Sequence, residues 1–119
     1  MRTWHGHPWS IVAGLSGFLA VVMGAVGAHA VTDAHAAELV VKASNYQLIH
    51  TAVILLMPDS NRALKCGRWL LAIGVVLFCG ALYLKGLFDW GEIIRLAPFG
   101  GCSLMLGWLA IALGGIKKS

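Results

Sequence analysis

The chain has 119 residues, 59% of them hydrophobic and 12% charged, with a formal net charge of +4. Soluble domains carry about 25% charged residues, so this composition excludes an ordinary water-soluble globule and predicts a single membrane domain over residues 1–119. The basic excess comes without a patch of interleaved aromatics, which excludes nucleic acid as a partner.

The first uncharged stretch runs from Arg2 to Asp33, with Ile11–Ala28 as its apolar heart and Trp4 and Trp9 as interfacial anchors. It predicts a span over about 9–30. His5 and His7 precede it, but structural metal sites want about four ligands, so no metal is expected. The stretch ends in Ala28-His29-Ala30, the small-x-small form of a signal-peptidase site. A signal peptide has an apolar core of roughly 7–15 residues, whereas Ile11–Ala28 is 18 residues long. Moreover, Ala13, Gly17, Ala20, Gly24 and Gly27 recur at 3–4 spacing along one side. Small residues at that spacing let helices approach closely in lipid, a feature a discarded leader does not need. The expectation is therefore an uncleaved first helix.

A second uncharged run, Ala43–Met57, is short for a crossing, which takes about 20 residues. Extending it backwards gives a span over about 36–57, with Thr32 or Asp33 as the cap. "PDSNR" at 58–62 is a turn. The third span, about 67–87, contains Trp69–Leu84, with Lys85 able to snorkel. "KGLFDWGE" at 85–92 reads as a loop. The fourth span, about 96–116, has Pro98 in its first turn, where a missing N–H costs little. Ser103, Gly107, Ala110 and Gly114 form a second small-residue ladder. Gly100-Gly101 at its start permits close packing and lacks the lysine-serine continuation of a phosphate loop. Gly17, Gly24, Gly27, Gly101 and Gly107 are the expected helix-packing residues.

The fold class is thus all-α, an integral membrane four-helix bundle. An even number of crossings puts Arg2, Arg62, Lys65, Arg68, Lys117 and Lys118 on one side and Lys42, Lys85 and Arg95 on the other. The positive-inside rule then places both termini in the cytoplasm, for a multi-pass protein of the cytoplasmic (inner) membrane. Three scattered cysteines make no disulfide framework. Cys79 and Cys102 lie in apolar runs as small hydrophobes, and Cys66 lies at a membrane edge.

Four motifs carry a resemblance: "GAVGAHA" (24–30), "YQLIHTA" (46–52), "FCGALYL" (78–84) and "PFGGCSLMLGWLAIAL" (98–113). They span the whole chain. In their order and spacing the sequence resembles the transmembrane protein 256 family, also called domain of unknown function 423. Cys79 and Ala81 depart from the serine that members often carry near those positions. The resemblance implies a small, uncleaved inner-membrane protein with four helices, and it brings no established activity.

Polar residues at membrane depth are costly and raise a functional question by default. Here they are His29, Gln47, His50 and Tyr83, which the topology brings toward one half of the bundle. Two readings stand. In one they form a buried hydrogen-bond network. In the other they form a site, either ligating haem through His29 and His50 or contacting protons or a quinone. The haem option lacks a second histidine pair and a CxxCH motif, so the sequence calls for no cofactor. Ser44 and Ser103 lack an acidic partner at recognisable spacing, and no catalytic residue is legible. The functional expectation is a non-enzymatic accessory or interaction subunit, touching lipid and joining a larger membrane complex or a second copy of itself. The alternative is a redox or proton/small-molecule-handling element built on the polar cluster.

Overall fold

The computed structural model describes residues 8–58 and 61–116. It contains four long helices: α1 (Pro8–His29), α2 (Ala34–Leu56), α3 (Arg62–Phe88) and α4 (Ala97–Ile116). A 3-10 segment, Gly91–Leu96, leads into α4. All four are long and apolar enough to cross a membrane.

Local chemistry sets the helix ends. The Asp33 carboxylate accepts from the Ala36 N–H at 2.9 Å and so starts α2. Asn61 does the same for α3, accepting from the Leu64 N–H at 2.9 Å. That cap explains why α3 begins at Arg62, ahead of the span read from hydropathy: a side-chain oxygen, not the first apolar residue, nucleates the first turn. At its far end α3 runs through "KGLF" and stops at Asp89, which takes the left-handed conformation at φ 55°. Lys85 donates to the Asp89 carboxylate at 2.7 Å.

The helices pack in chain order, α1 on α2, α2 on α3 and α3 on α4. Among the described residues, α1 and α4 have no backbone packing against each other. The molecule is accordingly an open bundle, a slab of 49 × 29 × 17 Å, where one helix with side chains is about 10–12 Å across. Its core lies on α2, α3 and α4, in Ala43, Ile54, Leu71, Val75, Cys79, Leu82 and Leu104. Large apolar side chains such as Phe18, Ile49, Val76, Phe99 and Met105 point outward. Lipid is the solvent that makes this favourable.

Small residues set how close the helices come. A Cβ on Gly24 would lie 2.8 Å from the Ser44 hydroxyl, and one on Gly27 would lie 3.0 Å from Val40 and Val41. On the α3–α4 seam a Cβ on Gly107 would lie 2.8 Å from Leu71. Two of the expected packing glycines are different. Gly17 has only the Thr51 methyl, at 3.9 Å, and Gly101 only the edge of Phe78, at 4.0 Å. Gly100, not Gly101, makes the tight contact: its Cβ would overlap the Phe78 backbone. Successive helical residues point about 100° apart, so only one of two adjacent glycines can face the neighbouring helix.

Candidate functional site

The intramembrane polar side chains divide into two hydrogen-bonded groups, centred on Gln47 and His50, which lie about one turn apart on one face of α2 and reach different neighbouring helices. In the first group Gln47 is the hub. Its amide N–H groups donate to the Ser16 carbonyl at 3.1 Å and the Ser16 hydroxyl at 3.0 Å. Its carbonyl oxygen accepts from the Tyr83 phenol at 2.5 Å. Ser16 and Thr51 share a further hydroxyl–hydroxyl bond of 2.8 Å. Three helices are thereby tied at one level. Tyr83 reaches it from near the end of α3 because helical side chains lean toward their own N-terminus.

In the second group His50 is the hub. The Trp108 indole N–H donates to its Nε2 at 3.1 Å, and its Nδ1 lies 2.7 Å from the Tyr46 carbonyl oxygen. An indole N–H can only donate, so Nε2 is the acceptor and the proton sits on Nδ1, where it bonds the carbonyl. Both ring nitrogens of His50 are thereby occupied. Its ring also stacks on Tyr46, with centroids 5.9 Å apart.

His29 joins neither group. It is exposed at the end of α1, thirteen residues beyond Ser16 and therefore about 20 Å further along the helix axis. The expected convergence of His29 with Gln47 and Tyr83 does not occur, because Gln47 engages α1 near its middle. Haem ligation by His29 and His50 finds no support in this geometry: the two rings are far apart, and His50 Nε2 already accepts a hydrogen bond.

Sequence reasoning passed over Ser16, Thr51 and Trp108. Ser16 lies beside Gly17 on the small-residue face of α1, and that position was the available signal: a hydroxyl there must find a partner across the helix contact. Trp108 read only as one more apolar residue. Ser44 and Ser103 are structural in their contacts. Ser44 donates to the Ala20 carbonyl and Ser103 to the Leu70 carbonyl, each at 2.7 Å. No group of three or more metal-ligating side chains occurs among the described residues.

At the Pro8 end of α1, Arg68 is buried, 3% exposed. Its guanidinium donates to the Met57 carbonyl at 2.8 Å, closing the end of α2, and lies 5.1 Å from the Trp9 ring centroid. Trp9 in turn packs edge-on against Trp69 at 5.1 Å. Above this clamp, α1 and α3 stand apart on either side of α2 and leave a cleft of about 310 Å³. Val12, Leu19 and Val76 form its apolar rim, and Ser16, Gln47, Thr51 and Tyr83 its polar patch.

Four apolar helices with interhelical polar ties and an outward-facing apolar surface define a multi-pass membrane protein. The chain belongs to the family described as "Protein of unknown function (DUF423)", whose model matches residues 23–101. It is 32% identical over 113 residues to a UPF0382 membrane protein of Haemophilus influenzae, covering 87% of this chain and 90% of that one. It is 33% identical over 116 residues to the UPF0382 inner membrane protein YgdD of Escherichia coli, covering 90% and 88%. A UPF0382 membrane protein of Staphylococcus saprophyticus is 31% identical over 114 residues, covering 90% and 95%. No solved structure matches the chain. The family and the four spans make this a multi-pass protein of the inner membrane, the location printed in the name of the Escherichia coli relative.

Proposed function

We propose that the protein is a non-enzymatic accessory or interaction subunit of the cytoplasmic membrane, with both termini on the cytoplasmic side. One observation carries this reading: the intramembrane polar groups are engaged with one another. Gln47 uses its amide nitrogen and its carbonyl, and His50 uses both ring nitrogens. A proton relay or an axial ligand needs a group with a valence to offer, and these two hubs are committed to holding helices together. Such ties are worth about 0.6–2 kcal/mol each in a membrane, a structural role with no chemistry required.

Size and shape support the same reading. The open slab leaves broad apolar flanks on α1 and α4 without a soluble domain among the described residues. Native mass spectrometry after extraction in mild detergent tests the proposal. A defined stoichiometric complex, with a second copy or with one larger membrane assembly, is the expected result. A monomer in every detergent, together with a Soret band or a flavin-like absorption in the purified protein, would overturn it in favour of a redox element.

A further inference from the structure

We propose that the cleft between α1 and α3 binds a single-chain lipid that carries a hydroxyl, with the hydroxyl seated on the Gln47–Tyr83 patch. The cleft runs from Trp9 to Leu19 along α1, ten residues and so about 15 Å. The hydrocarbon layer is about 30 Å thick, so the cleft is one leaflet deep. Its rim residues Val12, Leu19 and Val76 are exposed, at 53%, 47% and 70%, which opens it sideways to the chains of that leaflet. The Trp9–Trp69 contact closes it at the interfacial end.

The occupant's chemistry follows from the hydrogen-bond inventory of the patch. Tyr83 spends its one proton on Gln47, so its oxygen keeps acceptor capacity. The Gln47 amide nitrogen donates to both oxygens of Ser16. The Ser16 and Thr51 hydroxyls share one bond between them, which leaves one of the two hydroxyl protons to donate. The patch thus offers an acceptor and a donor together. A hydroxyl answers both, a ketone or ester carbonyl answers only the donor, and an alkane answers neither. In hydrocarbon a hydroxyl has no partner at this depth, so the patch selects it against the surrounding lipid.

The test uses the full chain in lipid nanodiscs with a dodecanol bearing a diazirine in its chain. Labelling is mapped by mass spectrometry and competed with unlabelled dodecanol, dodecan-2-one or dodecane. Label should fall on Val12 and Val76, and dodecanol should compete about tenfold better than the ketone, the value of one hydrogen bond in an apolar site. Gly80 lines the cleft, and a Cβ there would meet nothing within 4 Å. Gly80→Leu therefore fills the cleft from a position with free space and should abolish the labelling with melting unchanged. Label spread evenly onto Phe99 and Met105 of α4, equal competition by dodecane, no labelling at all, or labelling that survives Gly80→Leu would each overturn the proposal.

Discussion

The Trp108 indole N–H bonds His50 Nε2 at 3.1 Å, and through it α4 is tied to α2 although no backbone packing joins the two helices. A polar pair does what helix–helix contact does elsewhere in the molecule. His50→Ala leaves the indole N–H and the Tyr46 carbonyl without this partner, and a buried unsatisfied group costs about 1–3 kcal/mol. The expected loss of stability lies in that range by thermal melting in detergent. His29→Ala, at an exposed helix end, is expected to stay within about 0.5 kcal/mol.

The bond between Tyr83 and Gln47 is short, at 2.5 Å, and belongs to a three-helix network. A double-mutant cycle with Tyr83→Phe and Gln47→Leu should return a coupling of about 0.6–1.7 kcal/mol, the range of interhelical bonds in membranes. Coupling near zero would mean that each side chain is held by other contacts.

Adjacent glycines should differ. Gly100→Ala drives a methyl into the Phe78 backbone, whereas Gly101→Ala meets only the edge of its ring at 4.0 Å. Overpacking costs about 1–3 kcal/mol or more, so the first variant should melt lower or fail to accumulate and the second should resemble wild type. Gly24→Leu and Gly107→Leu belong with Gly100→Ala, and Gly17→Ala with Gly101→Ala. Equal melting of the Gly100 and Gly101 variants would refute the assigned seam.

Orientation is open to direct measurement. Reporter fusions placed after the last helix and within residues 85–92 should report opposite sides of the membrane, with the chain end cytoplasmic. Both on one side would remove a crossing.

Asp89 lies outside the spans, and the Lys85 ammonium beside it, through a hydrogen bond and its charge, holds the carboxyl below its ordinary value. A depressed carboxyl contributes stability above its unfolded pKa, and that contribution fades as pH falls through the lower folded value. An NMR titration should therefore place the Asp89 midpoint below the usual carboxylate range of about 3.9, and Lys85→Met should return it to that range.

The number of apolar helices and a cap at Asp33, one of the two residues the sequence offers for it, follow from local chemistry, and so they can be read from residues alone. Charge gaps mark hydrocarbon because a charge is expensive there, and a side-chain oxygen three residues ahead of a free N–H starts a helix whatever lies around it. The small-residue ladders are likewise visible as spacing.

Which member of each ladder makes contact is a property of two helices at once. Gly100 and Gly101 are the same residue in sequence, and only the position of Phe78 on α3 distinguishes them. The polar residues obey the same logic. Gln47, His50 and Tyr83 announce themselves as polar groups needing partners, but hydrogen-bond partners lie across helix seams. The sequence alone established that this is a four-helix membrane protein with a buried polar problem to solve. Tertiary structure alone decided that α2 solves it with two separate sets of partners, Ser16 and Tyr83 for Gln47 and Trp108 for His50, with His29 left outside. The physical reason is that a hydrogen bond depends on where two distant segments stand to within a few tenths of an ångström, and no local pattern carries that distance.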